Sequence, residues 1–273
     1  MSRPGRIVVT GAATLIAALL IGMVVFFFTG GRWFIVQTPS MGQTAPVGTL
    51  ILTTPAPAVG VAVGDIITFR PPTSPTEIYT HRVISITDGN IKTQGDINGA
   101  VDPWVLHPGD IIGIAAVVLP TIGWAVRALP ILAIGTVLVW LISGLFRSAT
   151  SRSALRVAGV SLVAATAAYI LRPLIGIVLL STNADTTGAH ATVVSTGILP
   201  IRVQAAGGNH ADLVTGQVGT LDVPTLIQNS QYHLSSALNL SLPGWMILGI
   251  VCVLPLLWCL IIGLPSDPDR PSP

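Results

Sequence analysis

The chain has 273 residues, of which 9% are charged and 51% hydrophobic, with a mean hydropathy of +0.77. That is too little charge to cover the surface of an ordinary soluble domain, so the composition points to a membrane protein. A formal net charge of +2, with no Lys/Arg cluster interleaved with aromatic residues, argues against a nucleic-acid partner.

In chain order, Ile7 to Phe28 is an uncharged apolar run behind Arg3 and Arg6, long enough to cross a hydrocarbon core that needs roughly 20 helical residues. It exceeds the h-region of a cleavable leader, and Thr29-Gly30-Gly31-Arg32-Trp33 offers no small-x-small cleavage site, so residues 1–31 are expected to be a signal anchor with its N-terminus inside. Trp33 and Phe34 are then expected at the outer interface. From Val36 the texture changes to short β-branched runs between Gly, Pro and Asp. Strands are expected over Leu50 to Thr53, Ile66 to Arg70, Ile78 to Ile86, Ile91 to Gln94 and Ile111 to Leu119, with Asp88-Gly89-Asn90 turning a hairpin. Residues 32–127 therefore read as a compact β domain outside the membrane.

A second apolar run, Ala128 to Phe146, is followed by Arg147, Arg152 and Arg156, a basic loop that the positive-inside rule assigns to the cytoplasm. A third run, Val157 to Leu180, carries Arg172-Pro173, read as a short kinked helix that lets Arg172 snorkel outward. The cytoplasmic loop and third span thus occupy 147–180. Residues 181–242 form an outer β-like segment, with alternating runs at Ala191 to Val203 and Val214 to Val223, and 243–273 hold a fourth span and a polar tail. Cys252 and Cys259 share one face of that span, too far apart along its axis to bond, and read as packing residues. His190, His210 and His233 are too dispersed to suggest a metal site. The fold class expected is a mixed α and β membrane protein, transmembrane helices plus an extracytoplasmic all-β domain.

Chemistry concentrates in that outer domain. A serine hydroxyl needs a base within hydrogen-bond reach, and a histidine base needs a group to orient it. Ser40 follows the first span closely in Gln37-Thr38-Pro39-Ser40-Met41. The candidate bases are His81, His107 and Lys92. His81 shares a strand face with Tyr79 and Val83. Asp96 and Asp102 lie in Gly95-Asp96-Ile97-Asn98-Gly99-Ala100-Val101-Asp102-Pro103, where acids ordinarily form turns.

Taken in order behind one N-terminal span, Ser40-Met41, Val63-Gly64-Asp65-Ile66, His81-Arg82-Val83, Gly95-Asp96-Ile97-Asn98 and Asp102 resemble signal peptidase I. The similarity is to the branch of the endoplasmic reticulum, archaea and some Gram-positive bacteria, which has His where the ordinary bacterial enzymes have the catalytic Lys. It covers residues 7 to 146 and says nothing about 147 to 273. The resemblance implies an extracytoplasmic β catalytic domain, with Ser40 as nucleophile and His81 as general base and then acid. It implies Asp102 as the acid that orients His81, Asp96 as a supporting acid, and Thr38 as an oxyanion donor beside the Ser40 NH. It implies no cofactor or metal, and precursor proteins carrying signal peptides as substrates. The chain departs from the family pattern at Pro39, at Gly42-Gln43-Thr44-Ala45-Pro46 and at Val101.

Two alternatives stand beside this reading. One is a Ser-Lys dyad using Lys92, separable by pH because an imidazole titrates near ~6.5 and an ammonium near ~10.4 before environmental shifts. The other is a non-catalytic membrane-anchored β scaffold or surface-fibre assembly factor.

Overall fold

The computed structural model describes residues 3–55, 60–185, 188–205, 208–223 and 234–262. His233 and the tail from Ser266 onward lie outside them. The chain divides into two units, one of Met1–Met41 with Leu50–Leu119, the other of Gly42–Thr49 with Pro120–Pro273.

The first unit opens with helix α1, Arg3–Phe28. Thr29-Gly30-Gly31 ends it through a reversal that only glycine makes easily. Gly30 sits at φ 90°, its NH bonds the Phe27 carbonyl and the Gly31 NH bonds the Phe26 carbonyl. The chain leaves this turn as strand β1, Arg32–Ile35. Trp33 and Phe34 therefore belong to a strand, which the sequence reading did not include. Four residues are too few to show a period.

Strands β2 (Leu50–Thr54), β3 (Ile66–Phe69), β4 (Tyr79–Thr87), β5 (Asn90–Gln94) and β6 (Ile111–Leu119) complete a six-stranded antiparallel sheet in the order β1-β2-β6-β3-β4-β5. Asp88 and Gly89 join β4 to β5 at φ 51° and 78°, the paired positive values of a two-residue hairpin turn whose twist suits the flanking strands. Ile67, Phe69, Val83, Ile91 and Leu106 form the core beneath the sheet, with Tyr79 and Trp104 packed on it.

In the second unit α2 spans Ile122–Gly144 and α3 spans Ala149–Leu171. Both are long and apolar enough to cross a membrane. They pack closely where glycine faces valine: a Cβ on Gly135 would lie 2.4 Å from Val163, and one on Gly159 would lie 2.7 Å from Val139. Small residues of this kind let helices approach in lipid. Three sequence boundaries shift. Helix α2 begins at Ile122 rather than Ala128. The basic loop contracts, because Ser148 caps α3 by accepting from the Ser151 NH, so Arg152 and Arg156 are helical and Arg156 Nε donates to Ser143 Oγ at 2.8 Å. At the other end Arg172 terminates α3 in the left-handed region, φ 49°, instead of sitting within a kinked helix.

The third apolar run therefore stops before Pro173, and its remainder starts strand β7, Ile177–Asp185. With β8 (Gly188–Ser195) and β11 (Val218–Val223) it makes one antiparallel sheet, order β11-β8-β7; β9 (Ile201–Ala205), β10 (His210–Leu213) and β12 (Leu234–Leu238) make the other, order β10-β9-β12. One core joins the two sheets, Val193 and Leu221 from the first meeting Ile201, Val203 and Leu213 from the second. The alternating run at Ala191 to Val203 is thus two strands in different sheets. Helix α4, Leu242–Ile262, follows β12.

Candidate active site

Pro39–Met41 forms one turn of 3₁₀-helix, and Pro39 suits it because its ring fixes φ near the helical value. The Met41 side chain anchors the turn, being 1% exposed. The segment after β5 grips the same turn: the Ile97 NH donates to the Ser40 carbonyl at 3.0 Å, and a Cβ on Gly95 would lie 2.7 Å from that carbonyl oxygen. A residue other than glycine at position 95 would push Ser40 aside.

Strand β4 alternates its side chains, so His81 and Val83 turn inward while Arg82 turns toward solvent. Burial leaves the His81 and Asp102 side chains 5% and 6% exposed. Phe69 and Tyr79 meet the imidazole edge-on, at 6.2 and 5.8 Å between ring centres, and fix its plane. Its two nitrogens then have different partners: Nδ1 lies 2.7 Å from Asp102 Oδ2, and Nε2 lies 3.0 Å from Ser40 Oγ.

Asp102 is far from His81 in sequence and is placed by β5. Its NH donates to the Thr93 carbonyl at 2.9 Å, and the Thr93 hydroxyl donates to Asp102 Oδ2 at 2.6 Å. A buried carboxylate needs such donors to offset lost hydration. Asp96 is employed differently. Arg82 Nε and Nη2 donate to its two oxygens at 2.9 and 2.8 Å, while Arg82 Nη1 donates to the Gly64 carbonyl at 2.9 Å. The hydrogen bond to Asp96 raises the Arg82 pKa above its ordinary value. Of the two acids read from the sequence, Asp102 meets the imidazole and Asp96 ties β4 to the segment that grips Ser40.

Thr38 Oγ1 stands 3.4 Å from Ser40 Oγ. Lys92 is turned to another use, its Nζ donating to the Trp104 carbonyl at 3.2 Å. His107 pairs with Asp110 on the surface at 3.7 Å. Tyr79 donates to Glu77 at 2.6 Å, and that bond, with burial and the charges of Glu77 and Asp102, raises the phenol's pKa. Among the described residues no group of His, Cys, Asp or Glu side chains could hold a metal ion.

Two positions carry more than the sequence assigned them. Gly95 stands in the motif without an assigned role, and Thr93 in sequence is an ordinary strand threonine. The signal for Thr93 was its place on β5, one residue from Lys92 and on the opposite face.

No curated protein matches the chain. A family model described as signal peptidase, peptidase S26 matches residues 7–100. The match takes in α1 from Ile7 onward, the turn of Ser40, His81 and Asp96, stops before Asp102, and covers less than half of the chain. This stretch is thus similar to signal peptidases, and the similarity suggests a peptidase that removes signal peptides.

Proposed function

We propose that the chain is a membrane-anchored serine endopeptidase that removes signal peptides from exported precursor proteins, working through Ser40, His81 and Asp102. The observation that carries this reading is the chain of contacts from Ser40 Oγ to His81 Nε2 at 3.0 Å and from His81 Nδ1 to Asp102 Oδ2 at 2.7 Å. An ionised Asp102 only accepts, so it holds the proton of His81 on Nδ1 and leaves the Nε2 lone pair facing the serine hydroxyl. As Ser40 Oγ attacks the scissile carbonyl, its proton passes to Nε2 and Asp102 stabilises the imidazolium. The Ser40 NH, which Pro39 leaves intact, and the Thr38 hydroxyl are suited to receive the developing oxyanion. One such donor is typically worth on the order of 10² to 10³ in rate. Nε2 then protonates the leaving amine, and water activated by the same nitrogen releases the acyl group from Ser40.

In this reading α1, α2, α3 and α4 cross the cytoplasmic membrane and the six-stranded sheet works outside it, the sheet's placement being the one the resemblance implies. The precursor binds extended and adds as a strand to the sheet, small side chains flanking the cut. Tethering the enzyme in the bilayer raises its effective concentration toward a membrane-inserted precursor. Ser40→Ala and His81→Ala in cells, followed by mass spectrometry of secreted N-termini, test the assignment. Accumulation of uncut precursors in both variants is expected; unchanged N-termini would favour a scaffold. Cleavage that survives His81→Ala and is lost in Lys92→Ala would favour the Ser-Lys alternative.

A further inference from the structure

Strand β7 departs from the pattern of its own domain. Strand β9 alternates buried and exposed positions strictly, as a sandwich strand with one dry and one wet face should. On β7, Val178, Leu179 and Leu180 are consecutive and exposed by 39%, 49% and 38%. The register slips between Leu179 and Ser181, so Leu180 escapes the alternation and large apolar side chains stand out on both faces. Leu174 and Ile175, just before the strand, are exposed as well. Past Leu180 the chemistry reverses, and the exposed residues are Ser181, Thr182 and Asn183.

The apolar half lies at the end of the sandwich where the helices join. Helix α3 stops at Leu171, and Pro173 and Leu174 accept hydrogen bonds from the Ile198 and Leu199 NH groups of the turn between β8 and β9. The same turn holds the end of β12, three residues before α4, since the Asn239 NH donates to the Pro200 carbonyl. Trp245, in the first turn of α4, is half exposed there. An end that collects two apolar helices, an indole, exposed leucines and the cation of Arg172 has the composition of a bilayer interface.

We propose that this end of the C-terminal sandwich is sunk in the lipid interface, with the β7 segment from Leu174 to Leu180 among the headgroups and upper acyl chains and the strand leaving the membrane at Ser181. The occupant of the patch is lipid, because the exposed apolar surface is continuous with the end of a helix that has membrane-crossing length and hydropathy. The inference rests on α3 crossing the bilayer and is independent of the peptidase chemistry.

The test uses the full chain in nanodiscs holding one copy each, with Cys252→Ala and Cys259→Ala, and an environment-sensitive fluorophore on Leu179→Cys, Asn183→Cys or Leu162→Cys. Lipids bearing a nitroxide on the upper acyl carbons serve as quencher. Strong quenching at Leu179 and Leu162, several-fold above that at Asn183, is expected. Quenching at Leu162 with Leu179 no more quenched than Asn183 overturns the proposal and leaves the span intact. A blue-shifted but unquenched probe at Leu179 overturns it too, since protein rather than lipid would cover the patch. Absence of quenching at Leu162 removes the span and the proposal together, without touching Ser40 or His81.

Discussion

Each unit holds a histidine whose Nδ1 lies 2.7 Å from an aspartate oxygen, His81 with Asp102 in one and His190 with Asp222 in the other. By distance the pairs are indistinguishable; by environment they are opposites. The side chains of the first are 5% and 6% exposed, those of the second 38% and 56%. Water screens the outer pair, so it stabilises little. Burial makes the inner pair directional, with Phe69 and Tyr79 holding the ring edge-on and Thr93 Oγ1 engaging Asp102 at 2.6 Å. The inner pair also has a hydroxyl at its other nitrogen, Ser40 Oγ standing 3.0 Å from Nε2, and on the proposed function that contact is the reactive one.

Replacing the two acids breaks this comparison most sharply. Asp102→Asn is expected to lower kcat for precursor cleavage by about 10⁴-fold, the scale on which a triad carboxylate sets the tautomer of its histidine. Asp222→Asn should leave cleavage unchanged. The measurement is turnover of a purified precursor by the full chain in nanodiscs, and equal losses in both variants would show that burial is not what separates the pairs.

Gly95→Ala comes next. The added Cβ would meet the Ser40 carbonyl oxygen at 2.7 Å and the Ser40 Cβ at 2.9 Å, so Ser40, the proposed nucleophile, is displaced rather than the imidazole. A shift of about 1 Å in a reacting group costs on the order of 10²-fold. A fall in kcat of that size with an unchanged unfolding midpoint is expected, whereas equal loss of fold and activity would reduce Gly95 to a packing position.

In sequence the inner site is legible as a set of motifs, Ser40, His81 and Asp102 entering through the resemblance, while local periods supply only the strand and hairpin that carry His81. Alternation on β4 turned His81 inward, and Asp88-Gly89 fixed the hairpin that brings β5 alongside. The resemblance puts Asp102 on the imidazole and Asp96 beside it, but residue spacing alone does not separate them, because the choice turns on the backbone bond from Asp102 to Thr93 and on Arg82 occupying Asp96. Outside the site, β7 hid inside the third apolar run, since a strand apolar on both faces gives no alternation and merges with the helix before it. Arg172-Pro173 marks the join, but in sequence alone it reads as a kink. The distinction between the two His–Asp pairs was invisible for the same reason: burial is a property of the assembled sheets, not of residue spacing.

Asp96→Asn sharpens the comparison within the first unit. The Arg82 side chain is 34% exposed and that of Asp96 20%, so the pair is worth about 1 kcal/mol or less once screening is counted. Cleavage should fall by less than about tenfold, far less than for Asp102→Asn. A loss as large as that of Asp102→Asn, measured in the same precursor assay, would mean that Asp96 and not only Asp102 acts on the imidazole.

The smallest effect lies in the second unit, where Arg202 Nε and Nη2 donate to Asp212 across β9 and β10 at 2.6 and 2.7 Å. Those hydrogen bonds hold the Asp212 pKa below its ordinary value, and Arg202 is raised in turn. A carboxyl whose pKa is lower folded than unfolded contributes stability above its unfolded value and loses it as pH falls through the folded one. Asp212→Asn should therefore narrow the difference in unfolding midpoint between neutral and acid solution, with the divergence from the parent full above the usual aspartate range and fading as pH falls below it. The pair is open to solvent, so the change is expected to be the least of the four and to shrink further in salt. A divergence that grows as the solution is acidified would mean that the pair opposes folding, the reverse of what its geometry dictates.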